Sequence, residues 1–168
     1  MKIAVISDSH DNKDKIVKAV AVMNERKIDV LIHCGDFIAP FVKRWFDGLN
    51  ENIKNNFYGV FGNNDGERVM LKQVLGQICD IPGLELITEI DGKKIFASHM
   101  PTPETLDALA NSQKFDIILR GHTHEIINKK YANGVLVVNP GEACGYLTGK
   151  GSFAIIDTKT DDAEIIYL

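Results

Sequence analysis

The chain has 168 residues, 45% of them hydrophobic and 25% charged, with a formal net charge of -4. That length fits one domain with a sizeable core, and the composition excludes a disordered chain, a coiled coil and a collagen-like fibre. The acidic balance, with no basic face, argues against stable nucleic-acid binding, and no apolar run reaches the ~18 residues that would cross a membrane.

Residues 2–7 form a short run rich in Ile and Val, the pattern of a strand buried on both faces. Ser7-Asp8-Ser9-His10 interrupts the run too early for a secretory signal. Ile16, Val17, Val20 and Met23 then recur at helical spacing among Lys13, Lys15, Lys18 and Glu25. A second apolar run, residues 29–34, ends at Gly35-Asp36, and a helix is expected over residues 40–46. Residues 57–61 read as a third strand, ending at Gly62-Asn63-Asn64-Asp65-Gly66, and residues 68–76 as a helix. Strands alternating with helices predict a parallel sheet built from crossover units.

Past Gly76 the pattern changes. Residues 84–90 and 93–98 flank Asp91-Gly92, and residues 126–131 and 135–138 flank Asn133-Gly134; both are hairpin signals. A helix over residues 104–112 and a strand over 116–120 lie between them. A last pair of strands, 152–158 and 163–168, turns around Thr160-Asp161-Asp162. The second half is thus expected to be mostly antiparallel. No linker or repeat divides the chain, so residues 1–168 read as a single α/β domain of two packed sheets with helices outside. Cys34, Cys79 and Cys144 are an odd count without metal-type spacing, which suits a reducing cytoplasm.

Four of the five histidines sit where a predicted strand runs out into a loop. Asp8 and His10 follow the first strand, Asp36 the second and Asn63 the third, while His99 and then His122 and His124 close two later ones. Ligands and catalytic groups of α/β folds gather at such strand ends. Alone, Asp8-x-His10 is more often a turn or helix cap than a ligand pair, and Gly35-Asp36 more often a plain turn. His122 and His124 would diverge in a regular strand and converge only in a loop wrapped round a shared site. Together the clusters point to a metal centre. Oxygen and imidazole donors without thiolate suit Mn, Fe, Ni or Zn.

The ordered set Asp8-x-His10, Gly35-Asp36, Gly62-Asn63-x-Asp65, His99 and Gly121-His122-x-His124 resembles the calcineurin-like metallophosphoesterases, and among them the small single-domain phosphodiesterase branch. The resemblance runs from the first strand to Pro140-Gly141. It implies a four-layer α/β/β/α sandwich, two mixed sheets flanked by helices, around a two-metal centre. Asp8, His10, Asp36 and His124 would hold one divalent cation, and Asp36 would bridge to a second completed by Asn63, His99 and His122. Mn²⁺ and Ni²⁺ are the favoured ions, with Fe, Co and Zn also compatible. The implied reaction is hydrolysis of a small phosphodiester by a metal-bridging hydroxide, with Asp36, Asn63 and His99 at the catalytic positions. The alternatives are a broad-specificity phosphomonoesterase and a scaffold that keeps the fold without catalysis. A zinc hydrolase of the metallo-lactamase type needs a His-x-His-x-Asp-His run, which the chain lacks.

Two positions depart from the family pattern. Asn64 stands where many related phosphatases carry a histidine that protonates the leaving group. General acid help is typically worth about 10²–10⁴-fold, so its loss favours diesters and activated esters over alkyl monoesters. Glu142 replaces the serine of a common Asn-Pro-Gly-Ser segment, where it would either repel phosphate or form a salt bridge. Asp65 is expected to orient the metal-site loop, and His33 and Cys34 to pack inside. Phe41, Trp45 and Phe46 read as helix packing or as a surface patch through which a homodimer would form. No insertion long enough to cap the site interrupts the chain, which predicts an open, shallow site.

Overall fold

Alternation along the strands decides how this chain layers. The computed structural model describes residues 1–168. In β1 (Lys2–Ile6), Ile3 and Val5 enter one core while Ala4 and Ile6 enter another, all four fully buried. The same division holds in β2 (Val30–His33), where Val30 and Ile32 oppose Leu31. With β3 (Phe57–Gly59) these strands form the predicted parallel unit, Ile3 opposite Val30 and Leu31 opposite Phe57.

The second sheet is built from β4 (Glu85–Ile90), β5 (Lys93–Ser98), β6 (Ile117–Leu119), β7 (Ile126–Lys130) and β8 (Leu136–Pro140), in the order β4-β5-β6-β8-β7. The last hairpin, β9 (Ser152–Asp157) and β10 (Asp162–Tyr167), returns to the first sheet, whose order is β10-β9-β1-β2-β3. Ile3, Val5, Ile32, Ile95, Ile117, Val138 and Ile156 fill the space between the sheets. The outer face of the first sheet carries α1 (Lys13–Glu25), α2 (Lys43–Phe46), α3 (Glu51–Lys54) and α4 (Arg68–Leu75), over a core that includes Met23, Phe37, Phe46, Ile53, Leu71 and Phe153. A smaller core of Phe96, Leu106, Ile118 and Val137 lies under α5 (Pro103–Asn111). These layers make the α/β/β/α sandwich that the motif resemblance implies.

Four expectations change. Residues 40–46 are not one helix but a 3-10 turn, Pro40–Val42, followed by α2. Neither piece has a side-chain cap, and only Val42 and Phe46 are fully buried, so packing rather than propensity holds them. Helix α3 was not foreseen because four residues with one buried position, Ile53, carry no periodicity. The second half is more mixed than expected, since β5, β6 and β8 run parallel. Finally, Phe46 is fully buried and Trp45 packs against the same core, leaving only Phe41, 68% exposed; the three aromatics are not a surface patch. No helix is long and apolar enough to cross a membrane.

Candidate metal centre

The loops after β1, β2, β3, β5 and β6 meet at one edge of the sandwich, and they meet because their backbones are bonded together. The amides of Ser9 and His10 both donate to the Asp36 carbonyl at 3.1 Å, that of Asp8 to Gly35 at 3.0 Å, and that of Gly121 to His99 at 3.1 Å. The buried Asp65 carboxylate accepts from the amides of Asp36 (3.0 Å), Ile38 (2.8 Å) and Gly62 (2.7 Å), which ties the second and third loops together as expected. Asp8, His10, Asp36, His122 and His124 all adopt positive φ, between +42° and +72°. Such backbone costs on the order of 1–3 kcal/mol per residue and persists where surrounding structure imposes it. The strain aims five side chains inward.

All seven sequence-predicted donors come together. His124 Nε2 stands 3.2 Å from Asp8 Oδ1, and His10 Nε2 lies 3.8 Å from that oxygen and 3.5 Å from Asp36 Oδ2. His99 Nε2 is 3.4 Å from the same Oδ2 and 3.9 Å from Asp8 Oδ1. Asn63 Oδ1 is 3.0 Å from His99 Nε2 and 2.8 Å from His122 Nδ1. Asp36 Oδ2 therefore has both His10 (3.5 Å) and His99 (3.4 Å) beside it.

Three observations show that this set fits cations. Asp8 Oδ1 and His10 Nε2 are buried without a hydrogen-bond partner, an arrangement that costs roughly 1–3 kcal/mol per group unless something else satisfies it. The Nδ1–H of His99 donates to the Cys34 carbonyl at 2.7 Å, so Nε2 is the atom that faces the Asn63 oxygen at 3.0 Å, where a cation would take the place of a proton. Likewise His124 donates from Nδ1 to Glu142 Oε2 at 2.8 Å, leaving Nε2 free toward Asp8. A carboxylate or carbonyl behind the ring is the usual way a protein fixes the tautomer of a metal-ligating histidine.

Charge follows the geometry. Burial opposes ionisation of Asp8 and Asp36, yet His10 beside Asp8, and His99 with Asn64 beside Asp36, hold both carboxyls below the ordinary range. The neighbouring Asp8 carboxylate raises His10; burial works against His99, but Asp36 and Asp8 outweigh it and raise that group too. Burial lowers His122. Glu142, although buried, is held down at about 2 by the amides of Thr148 and Leu147 and by His124. Its carboxylate is turned onto the His124 ring and the Leu147 and Thr148 amides, and it anchors His124. Cys144 donates its thiol to the same carboxylate at 3.1 Å, and burial pushes that thiol up to about 12.

His33 joins none of this. Its ring stacks on Phe37 at 3.6 Å between centroids, bonds to Ser9 Oγ at 3.0 Å, and accepts the Gly35 amide on Nδ1 at 3.1 Å. Sequence reasoning did not single out Arg68, whose guanidinium donates to the Asp65 and Gly62 carbonyls at 3.0 and 2.8 Å, nor Ser7, whose hydroxyl donates to Asp8 Oδ2 at 2.6 Å. The pattern offered no signal for either, because both act through contacts that only the fold creates. Asn64 proves to be more than a missing histidine. Its amide N–H and side-chain Nδ2 each donate to the Asp36 carboxylate at 2.8 Å.

Comparison with known proteins agrees with the fold. The sequence profile of the calcineurin-like phosphoesterase superfamily domain matches residues 1–161. The chain is 39% identical to the phosphodiesterase MJ0936 of Methanocaldococcus jannaschii, over 100% of this chain and 99% of that protein. It is 25% identical to the probable metallophosphoesterase YsnB of Bacillus subtilis, over 99% and 90%. The structure of an archaeal phosphodiesterase superimposes with a TM-score of 0.91 at 40% identity, covering both chains in full. Vps29 of Chaetomium thermophilum shares the fold, with a TM-score of 0.67 at 18% identity over 99% of this chain and 95% of that one.

Proposed function

This chain belongs to the calcineurin-like phosphoesterase superfamily, and from that premise we propose that it is a two-metal phosphodiesterase acting on small phosphodiesters. The observation that carries the reading is the convergence of seven donors about the Asp36 carboxylate, whose Oδ2 has His10 and His99 within 3.5 Å. Asp8, His10 and His124 with Asp36 would hold one divalent cation, and Asn63, His99 and His122 with Asp36 the other. When bound, such a pair supplies Lewis-acid charge to phosphate oxygens and a water acidified toward neutrality as the nucleophile. Mn²⁺ or Ni²⁺ suits the mixed oxygen and imidazole donors.

The chain's own residues do the positioning. Asn64 fixes both oxygens of Asp36, Glu142 fixes the His124 ring, and the Cys34 carbonyl fixes His99. Asn64 has no proton to give a departing alkoxide, so esters with good leaving groups react best. The activity named for the archaeal relative supports diester over monoester specificity. The scaffold alternative predicts eroded donor positions, and all seven are present. Three free, buried thiols agree with residence in a reducing cytoplasm.

The test is hydrolysis of bis(p-nitrophenyl) phosphate after chelation and add-back. Activity is expected to vanish with the metal and return with Mn²⁺ or Ni²⁺. Asp36→Ala is expected to lose both metal content and at least about a hundredfold in kcat/KM, more than the 10–100-fold typical when a group behind a metal ligand is removed. A variant that keeps its metal and its rate would overturn the bridging role of Asp36.

A further inference from the structure

A groove of about 370 Å³ begins at Asn63 and His99 and runs outward from the donor cluster. Its volume lies at the small end of ligand sites, enough for one ring-bearing substituent and too little for a polymer. Leu84, just before β4, and Met100, just after β5, line it with apolar surface, each more than half exposed. Arg68 and Phe61 also line it. The Arg68 guanidinium lies 5.6 Å from the Phe61 ring centroid and is held by two backbone carbonyls rather than by a carboxylate. It is thus a flat, immobilised plate whose charge is not neutralised, and guanidinium planes stack well on aromatic rings. Glu85 and Ser98, directly opposite each other in the β4–β5 register, add polar groups to the wall.

We propose that this groove seats the ester substituent of the diester that does not depart, and that it selects a planar aromatic one, aryl or nucleobase-bearing, through Arg68, Leu84 and Met100. The inference rests on the phosphodiesterase reading and adds the substrate class. The free charge of Arg68 attracts the diester anion, and the apolar rim removes the ring from water. A larger cavity of about 550 Å³ along the outer edge of β3 touches none of the seven donors and cannot serve the same reaction.

Diesters sharing a p-nitrophenyl leaving group and differing only in the other arm (methyl, phenyl or thymidyl) test the proposal. kcat/KM is expected to be about tenfold higher with phenyl or thymidyl than with methyl, the size of one ring-stacking contact, and to differ through KM rather than kcat. Leu84→Trp, an exposed position that should fold normally, fills the groove and is expected to erase most of that ratio. A preference for thymidyl with phenyl no better than methyl overturns selection by the ring. In a separate measurement on metal-free protein, phenylphosphonate is expected to shift the methyl NMR signals of Leu84 and Met100, and methylphosphonate to leave them in place. Equal kcat/KM across the series, a ratio unchanged in Leu84→Trp, or no shift with phenylphosphonate overturns the subsite. If no diester is cleaved with any divalent cation, the phosphodiesterase reading fails instead, and the NMR experiment still decides the groove.

Discussion

At the scale of single residues, the centre depends on groups that never reach a cation. Glu142 is 1% exposed, spends one carboxylate oxygen on His124 and is itself secured by the amides of Leu147 and Thr148. Replacing it with Gln keeps the size and removes the charge. Glu142→Gln is expected to weaken metal affinity by about 10–100-fold with little change in the fold, as read by metal titration alongside circular dichroism. Unaltered affinity would mean that His124 is oriented without it. Sequence reading located this residue but not its direction. A glutamate at the end of a strand is compatible with facing phosphate, solvent or a neighbour, and only the loop over residues 144–148 closes it onto His124.

At the scale of elements, the hairpins and the first three strands were legible because each is a local pattern: an apolar run with a turn dipeptide beside it. Asp91-Gly92 and Asn133-Gly134 both join antiparallel strands, β4–β5 and β7–β8. Helix α3 and the 3-10 turn were not legible, since their stability comes from one or two buried side chains. The loops obey a stricter logic. Gly35 has φ +99°, and a Cβ there would lie 2.8 Å from both the Gly62 amide nitrogen and His99 Nδ1, so the loops after β2, β3 and β5 pack with no room for a methyl group. Gly35→Ala is therefore expected to destabilise the metal-free protein by roughly 2 kcal/mol or more, from strain and displacement together, and to reduce metal content. Urea denaturation and elemental analysis measure both effects. A loss below about 0.5 kcal/mol, the range of ordinary surface changes, would show that the loops tolerate separation.

At the scale of the whole molecule, the fold buries an ionisable ring where no charge can follow. His33 is fully buried between Phe37 and the loops, and burial lowers its pKa to about 3, against 6.5 for the free side chain. The unfolded chain takes up this proton first, so the contribution of His33 to stability is complete above pH ~6.5 and declines as pH falls toward the folded value, at up to about 1.4 kcal/mol per pH unit. His10 and His99 are raised in the metal-free protein and act with the opposite sign, their contribution fading as pH rises. Comparing the wild type with His33→Gln isolates the one from the others: between pH ~6.5 and 5 the wild type should lose roughly 2 kcal/mol more than the variant. Parallel pH profiles from denaturant melts would contradict a neutral, buried His33. The sequence alone determined the donor types, their order along the chain and their position after strands, because hydrophobic period and turn chemistry are local. What only the tertiary structure decided was the pairing of residues from 18 to 114 positions apart: Asp8 beside His122, Asp36 beside His10 and His99, Glu142 on His124, and a groove between the start of α4, the start of β4 and the end of β5. Those relations follow from how two sheets pack, and no local pattern records the packing of distant segments.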